Sequence, residues 1–193
     1  MLIGIHDSIR RMNRWRFQRI ENFTLPDKIY GNVNTNCQRI LDTFNDRPRA
    51  TGVHLNGVKG SGKTLLVKQL SLTGLKNGIP TIVINAPYSG ENFNDFVQSI
   101  QTPCIMIFDE FEKVYDREKQ EDILTLFDGV YPTKKLFVLT TNDSNRVSNF
   151  LKNRPGRMYY RFDYTALDPV MVKELLDDQL NKYNPHSTIL SEG

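Results

Sequence analysis

Short apolar runs of strand length alternate along this chain with segments whose apolar residues return every third or fourth position. Cys37, Ile40, Leu41 and Phe44 form one such stripe with Asn36 ahead of it as a candidate cap, so a helix with a core-facing side is expected there. Thr51 to Asn56 reads as a strand. A glycine-rich turn follows, then a helix from about Lys63 to the stop signal Asn77-Gly78, with Pro80 beyond. Thr81 to Asn85 reads as a second strand, and Phe93, Phe96, Val97 and Ile100 as the buried face of the next helix. Cys104 to Phe108 is apolar without interruption, which suits a strand covered on both faces in a parallel sheet. Asp116 opens a helix carrying Ile123, Leu124 and Phe127 up to Gly129, Leu136 to Thr140 is a fourth strand, and Met158 to Phe162 alternates as a fifth. Asp168-Pro169 supplies a cap and a first-turn proline for a last helix bearing Val172, Leu175, Leu176 and Leu180. Strands separated by helices in this way predict a three-layer α/β domain around a five-stranded parallel sheet.

Composition narrows the picture without changing it. A chain of 193 residues favours one domain, with residues 1–24 as a basic arm or linker, 25–166 as the α/β domain and 167–193 as a C-terminal helix and tail. With 39% hydrophobic and 24% charged residues it is neither low-complexity nor collagen-like, and no apolar run approaches the ~18 residues of a membrane span. No secretory signal is visible, and Cys37 and Cys104 sit on core segments that suit a reducing compartment, so a cytoplasmic protein is expected. The formal charge of +3 is uneven, because the first twenty residues carry Arg10, Arg11, Arg14, Arg16 and Arg19 against Asp7 alone. Such an arm suits nucleic acid or an acidic neighbour, and equally a solvated linker. His6, His54 and His186 show no metal-ligand spacing with each other or with the cysteines.

The chemistry lies between the first strand and its helix. Gly57-Val58-Lys59-Gly60-Ser61-Gly62-Lys63-Thr64 is a complete G-x-x-x-x-G-K-[ST] pattern, and Leu65 continues the nucleotide-binding stretch into the helix. Its glycines let the backbone aim successive N–H groups inward, and the helix adds the positive end of its dipole, so a polyphosphate is held by fixed dipoles. Lys63 is placed to reach the β- and γ-phosphates, and the Thr64 hydroxyl to ligate Mg²⁺. Asp109 and Glu110 stand just beyond the carboxyl end of a buried strand, the edge at which open α/β sheets bind ligands. Asp109 suits the Mg²⁺ shell, and Glu110 is placed to polarise a water for attack on the γ-phosphate. That pair favours hydrolysis over transfer to a second substrate.

Taken together these motifs resemble the AAA+ ATPases over roughly residues 25 to 180. The resemblance implies the P-loop fold of the AAA+ large domain, with ATP and Mg²⁺ as ligands. Leu139-Thr140-Thr141-Asn142 is similar to the family's sensor 1, which assigns Asn142 to the γ-phosphate or the attacking water. Asn153-Arg154-Pro155-Gly156-Arg157 resembles the segment whose arginines reach a neighbouring subunit's nucleotide, giving Arg154 and Arg157 a role in trans that is worth ~10³ to 10⁵ in rate. Ile29-Tyr30-Gly31 stands where the family lines its adenine pocket, and Tyr88-Ser89-Gly90 resembles the pore loop of protein-threading members. A homo-oligomeric ring, hexameric when a full lid is present, and a protein client are implied. The departure is at the carboxyl end, where the helical lid is absent or reduced to the one helix at about residues 169 to 182.

Three other activities stay open at this point. A clamp-loader or helicase-loader type of ATPase acting on nucleic-acid complexes is favoured by the basic arm, and a small-molecule P-loop kinase by length alone. A nucleotide-binding scaffold without turnover is the third.

Overall fold

The computed structural model describes residues 2–7, 15–127, 134–149, 158–164 and 169–183. Their elements, in order, are β1 (Leu2–Asp7), β2 (Trp15–Arg19), α1 (Val33–Asp46), β3 (Thr51–Gly57), α2 (Lys63–Lys76), β4 (Thr81–Ile84), α3 (Glu91–Ser99), β5 (Cys104–Phe108), α4 (Phe111–Val114), α5 (Arg117–Phe127), β6 (Lys135–Thr141), β7 (Tyr160–Tyr164) and α6 (Pro169–Tyr183). One sheet runs in the order β2-β1-β4-β5-β6-β3-β7. The five strands expected from the sequence are five neighbouring parallel strands of it, β4-β5-β6-β3-β7, with β3 between β6 and β7.

The sheet nevertheless has seven strands where five were expected. Leu2–Gly4 pair in parallel with Thr81–Val83, and β2 pairs antiparallel with β1, Ile3 opposite Arg19. Arginines hid this in the sequence: Trp15-Arg16-Phe17-Gln18-Arg19 alternates aromatic and polar residues with the period of an edge strand, in a region that reads first as a charge cluster. Phe17 leans on Phe96 of α3, ring centroids 5.4 Å apart.

Alternation along the strands divides two cores. On β5, Cys104, Met106 and Phe108 face the layer of α3, α4 and α5, while Ile105 and Ile107 face α1 and α2. On β6, Phe137 and Leu139 take the first side, Leu136 and Val138 the second. The expected stripe Cys37, Ile40, Leu41 and Phe44 is the buried face of α1, although that helix starts at Val33 with Asn32 as its cap, a full turn ahead of Asn36. Asp116 does cap α5, its Oδ1 accepting from the Lys119 N–H at 3.0 Å. Beneath the turn after β5, Phe108 gathers Phe111, Tyr115, Phe127 and Phe137 at centroid distances of 5.8 to 6.4 Å. Such pairs add about 0.5–1.5 kcal/mol each beyond area burial, so the turn rests on a stiff floor.

Helix α6 buries none of its residues. It is tied to the segment before α1: Asp178 accepts from Lys28 Nζ and, at 2.7 Å, from the Tyr30 hydroxyl, and Glu174 Oε2 accepts from the Gly31 N–H at 2.7 Å. Among the described residues no helix is long and apolar enough to cross a membrane.

Candidate nucleotide-binding site

The carboxyl ends of β3, β5 and β6 bring the sequence-predicted residues to one edge. Strand β3 ends at Gly57, whose φ of 149° suits glycine, and a Cβ there would lie 2.6 Å from Tyr164 Cβ and closer still to the Tyr164 carbonyl. Glycine at this position lets β3 turn away while β7 passes against it. At the tip, Gly60 has φ 84° and nothing within 4 Å of where a Cβ would stand, so the loop is open above its backbone. Gly62 is the N-cap of the 14-residue helix α2, and no side chain caps that end. Its amino-terminal N–H groups and dipole therefore face the loop unopposed by a side chain.

Lys63 is 6% exposed, and its Nζ donates to the carbonyls of Gly57 (2.5 Å) and Val58 (2.9 Å), to Ser61 Oγ (3.4 Å) and to Asn142 Oδ1 (3.2 Å). Every one of these partners is neutral, and among the described residues no ion pair involves Lys63. Burial pushes its ammonium below the ordinary lysine range, opposed by the charges of Glu112, Asp109 and Glu110 in that order. A desolvated cation satisfied only by dipoles, at the foot of a loop open above, fits an anion of high charge density.

The acids beyond β5 are held by β6. Thr140 Oγ1 donates to Asp109 Oδ1 at 2.5 Å and accepts the Glu110 N–H at 2.9 Å, so one hydroxyl fixes both. Glu110 has φ 47°, the one non-glycine residue with positive φ among those described. The left-handed turn there aims consecutive carboxylates differently. Glu110 Oε1 accepts from Lys113 Nζ at 2.6 Å and from Asn142 Nδ2 at 3.1 Å. Lys113, seconded by Asn142, holds the Glu110 carboxyl below the usual range. Asp109 just beyond β5 and Thr64 on the first turn of α2 would each offer a hard oxygen. This fits Mg²⁺, which takes one or two protein oxygens and completes its shell with water and phosphate. Among the described residues there is no cluster of three His, Cys, Asp or Glu that would cage a metal outright.

On the other side of the loop is a cavity of about 470 Å³ whose wall includes Tyr30, Gly31, Val33, Leu65, Phe162 and Tyr164. Tyr30 and Gly31 stand in that wall and Ile29 does not. Burial raises the Tyr164 phenol to about 12, so it stays neutral. Tyr88 packs against Phe93, centroids 5.9 Å apart; Ser89 Oγ donates to Asp122 Oδ2 at 3.2 Å, and Gly90 caps α3. Arg154 and Arg157 lie outside the described residues. Glu112 joins the constellation without having been singled out in the sequence, and Thr140 and Lys113 join it from family-like segments in which neither was given a role in the chemistry. A threonine two residues before Asn142 and a lysine three residues after Glu110 were the signals, each with a commonplace reading as strand and helix surface.

A glycine-rich strand–loop–helix with a buried lysine, a helix amino end and two acids just beyond β5, one strand removed from β3, defines a P-loop nucleotide-binding protein. Residues 53–165 match the family described as ATPase family associated with various cellular activities (AAA), and the chain belongs to that family. An alignment over 129 positions that covers 56% of this chain is 30% identical to the peroxisomal ATPase PEX1 of Cricetulus griseus. The match spans 10% of that relative's length. Membership of the family implies a nucleotide-binding domain of the ATPase class.

Proposed function

We propose that this chain is a Mg²⁺-dependent ATPase whose active site is completed by a neighbouring copy, and that it works on a protein client. The observation that carries the hydrolytic reading is the arrangement around Asn142: its side-chain amide joins Lys63 to Glu110, placing a phosphate-binding cation and a general base on either side of one polar side chain. Lys63 exchanges its loop carbonyls for phosphate oxygens, and the main-chain N–H groups of the loop receive the rest. Glu110 takes a proton from the water that attacks the γ-phosphorus, and the bond to the β–γ bridging oxygen breaks to give ADP and phosphate. Mg²⁺ bound at Thr64 and Asp109 supplies neutralisation of phosphate charge. Thr140 keeps Asp109 and Glu110 in register while this happens.

Adenine is assigned to the cavity lined by Tyr30 and Gly31, next to Ser61 and Gly62 of the loop. Action in trans rests on Arg154 and Arg157, and action on a protein rests on the same Arg-Pro-Gly-Arg pattern together with Tyr88-Ser89-Gly90. The test is the ATPase rate per subunit with Mg²⁺ from nanomolar to tens of micromolar protein. A rate that rises and saturates is expected. A constant nonzero rate from a chain that sizes as a monomer throughout would overturn completion in trans.

A further inference from the structure

Glu112 is a buried acid that neither the phosphate loop nor the water-activating turn accounts for. It lies on α4, three residues beyond Asp109, and is 4% exposed. Glutamate is almost never buried to that degree unless it is paired, because removing a carboxylate from water costs several kcal/mol. Among the described residues no ion pair involves Glu112. Its Oε1 accepts the main-chain N–H of Asn142 at 3.0 Å, and its Oε2 is buried with no hydrogen-bond partner. A half-satisfied buried carboxylate is a poor device for stability, so its position calls for another account.

The geometry points to Glu112 as a positioning residue: by gripping the backbone of residue 142 it sets the Asn142 amide between Lys63 and Glu110. Asn142 stands just beyond the end of β6, where the ladder to β3 and β5 no longer holds the chain. The hydrogen bond that the Asn142 N–H donates to Glu112 replaces the ladder at that point. With the backbone fixed, the side chain presents Oδ1 to the Lys63 ammonium at 3.2 Å and Nδ2 to the Glu110 carboxylate at 3.1 Å. The reverse orientation would set N–H groups against a cation and oxygen against an anion, so the amide has one favourable setting. Phe111, the neighbour of Glu112, stacks on Tyr115 with centroids 4.9 Å apart, which anchors α4 and so the acid it carries. Glu112 is also the acid with the strongest pull on Lys63.

This inference rests on the hydrolytic reading of the site, and a double-mutant cycle separates the two. The full chain is compared with Glu112→Ala, Glu112→Gln, Asn142→Ala and the double variant Glu112→Ala/Asn142→Ala. Turnover, KM, the affinities for Mg²⁺-ATP and Mg²⁺-ADP, and the melting temperature are measured for each. Glu112→Ala is expected to lower kcat about 10- to 100-fold with KM within about threefold of the parent. It should also bring the ratio of ATP to ADP affinity down to that of Asn142→Ala. Glu112→Gln, whose amide oxygen still accepts the Asn142 N–H, should recover kcat to within about threefold, and the double variant should be no worse than Asn142→Ala alone. Additive losses, a parent-like Glu112→Ala, or equal loss of both nucleotides with no recovery in Glu112→Gln would overturn the inference. A parent that binds ATP without hydrolysing it at any concentration overturns the hydrolytic reading instead. The cycle in the ATP-to-ADP affinity ratio then still decides the role of Glu112.

Discussion

Lys63 Nζ and Asn142 Oδ1 lie 3.2 Å apart, so the phosphate-loop lysine is already in contact with the end of β6. The amide that holds the lysine also holds Glu110. Binding a polyphosphate therefore rearranges hydrogen bonds that already exist and does not have to build the site from separate parts.

Lys63→Met tests the desolvated cation. The thioether keeps much of the stem and discards the charge, so affinity for Mg²⁺-ATP should fall by about 3 kcal/mol, roughly a hundredfold. The melting temperature should hold or rise, since a buried charge with neutral partners has been removed. Titration calorimetry and a thermal scan check both. Unchanged affinity would mean that the loop dipoles alone hold the phosphates.

Glu110→Gln separates binding from turnover. The amide carbonyl can still accept from Asn142 and Lys113, so nucleotide affinity should stay within a few-fold of the parent, while kcat falls about 10² to 10⁴ for want of a base. Steady-state phosphate release beside equilibrium binding decides it. A variant that hydrolyses ATP at the parent rate would remove Glu110 from the mechanism.

Two glycines of the loop should answer the same substitution differently. Gly57→Ala drives a methyl group into the backbone of Tyr164 as well as into an unfavourable φ, and a loss of about 3 kcal/mol or more is expected. Gly60→Ala meets nothing within 4 Å and carries only its φ of 84°, so about 1–2 kcal/mol is expected, with the fold retained. Denaturant titration of both proteins gives the comparison. Equal losses would mean that the approach of β7 to Gly57 contributes little.

The thiols should be silent until the protein unfolds. Cys37 and Cys104 are both buried, and burial pushes the Cys104 thiol up to about 11 and raises that of Cys37 against a hydrogen bond with Thr73. A thiol whose folded value is raised contributes full stability below its unfolded value of about 8.5, and loses it as pH rises toward the folded one. Neither cysteine should react with a disulfide reagent at pH 8 in the native protein, both should react in denaturant, and stability should decline above about pH 8.5. Rapid native labelling of Cys104 would contradict its burial at the start of β5.

The parts of the fold that the sequence announced are those whose residues have one reading. Cys104 to Phe108 is apolar throughout because helices cover both faces of β5, and no other element of that length would bury it. The loop from Gly57 to Thr64 is legible because its backbone demands glycine at a close approach and at open turns. Glu112 is not legible, since an acid among Glu110, Lys113 and Asp116 looks like solvated helix surface until Phe111 is seen to draw α4 under the sheet edge. Strand β2 was hidden likewise: pairing with β1 depends on backbone, and backbone is silent in a row of arginines.

The strand Thr81-Ile82-Val83-Ile84 would, without β1 and β2, end the sheet as a short, uncharged, apolar rim with its peptide groups open to any passing chain. With the hairpin in place, the rim belongs instead to Trp15–Arg19, where two arginines stand in five residues. Two such rims brought together repel. Trimming the amino terminus would therefore expose a sticky seam, and turbidity during expression would be its first sign.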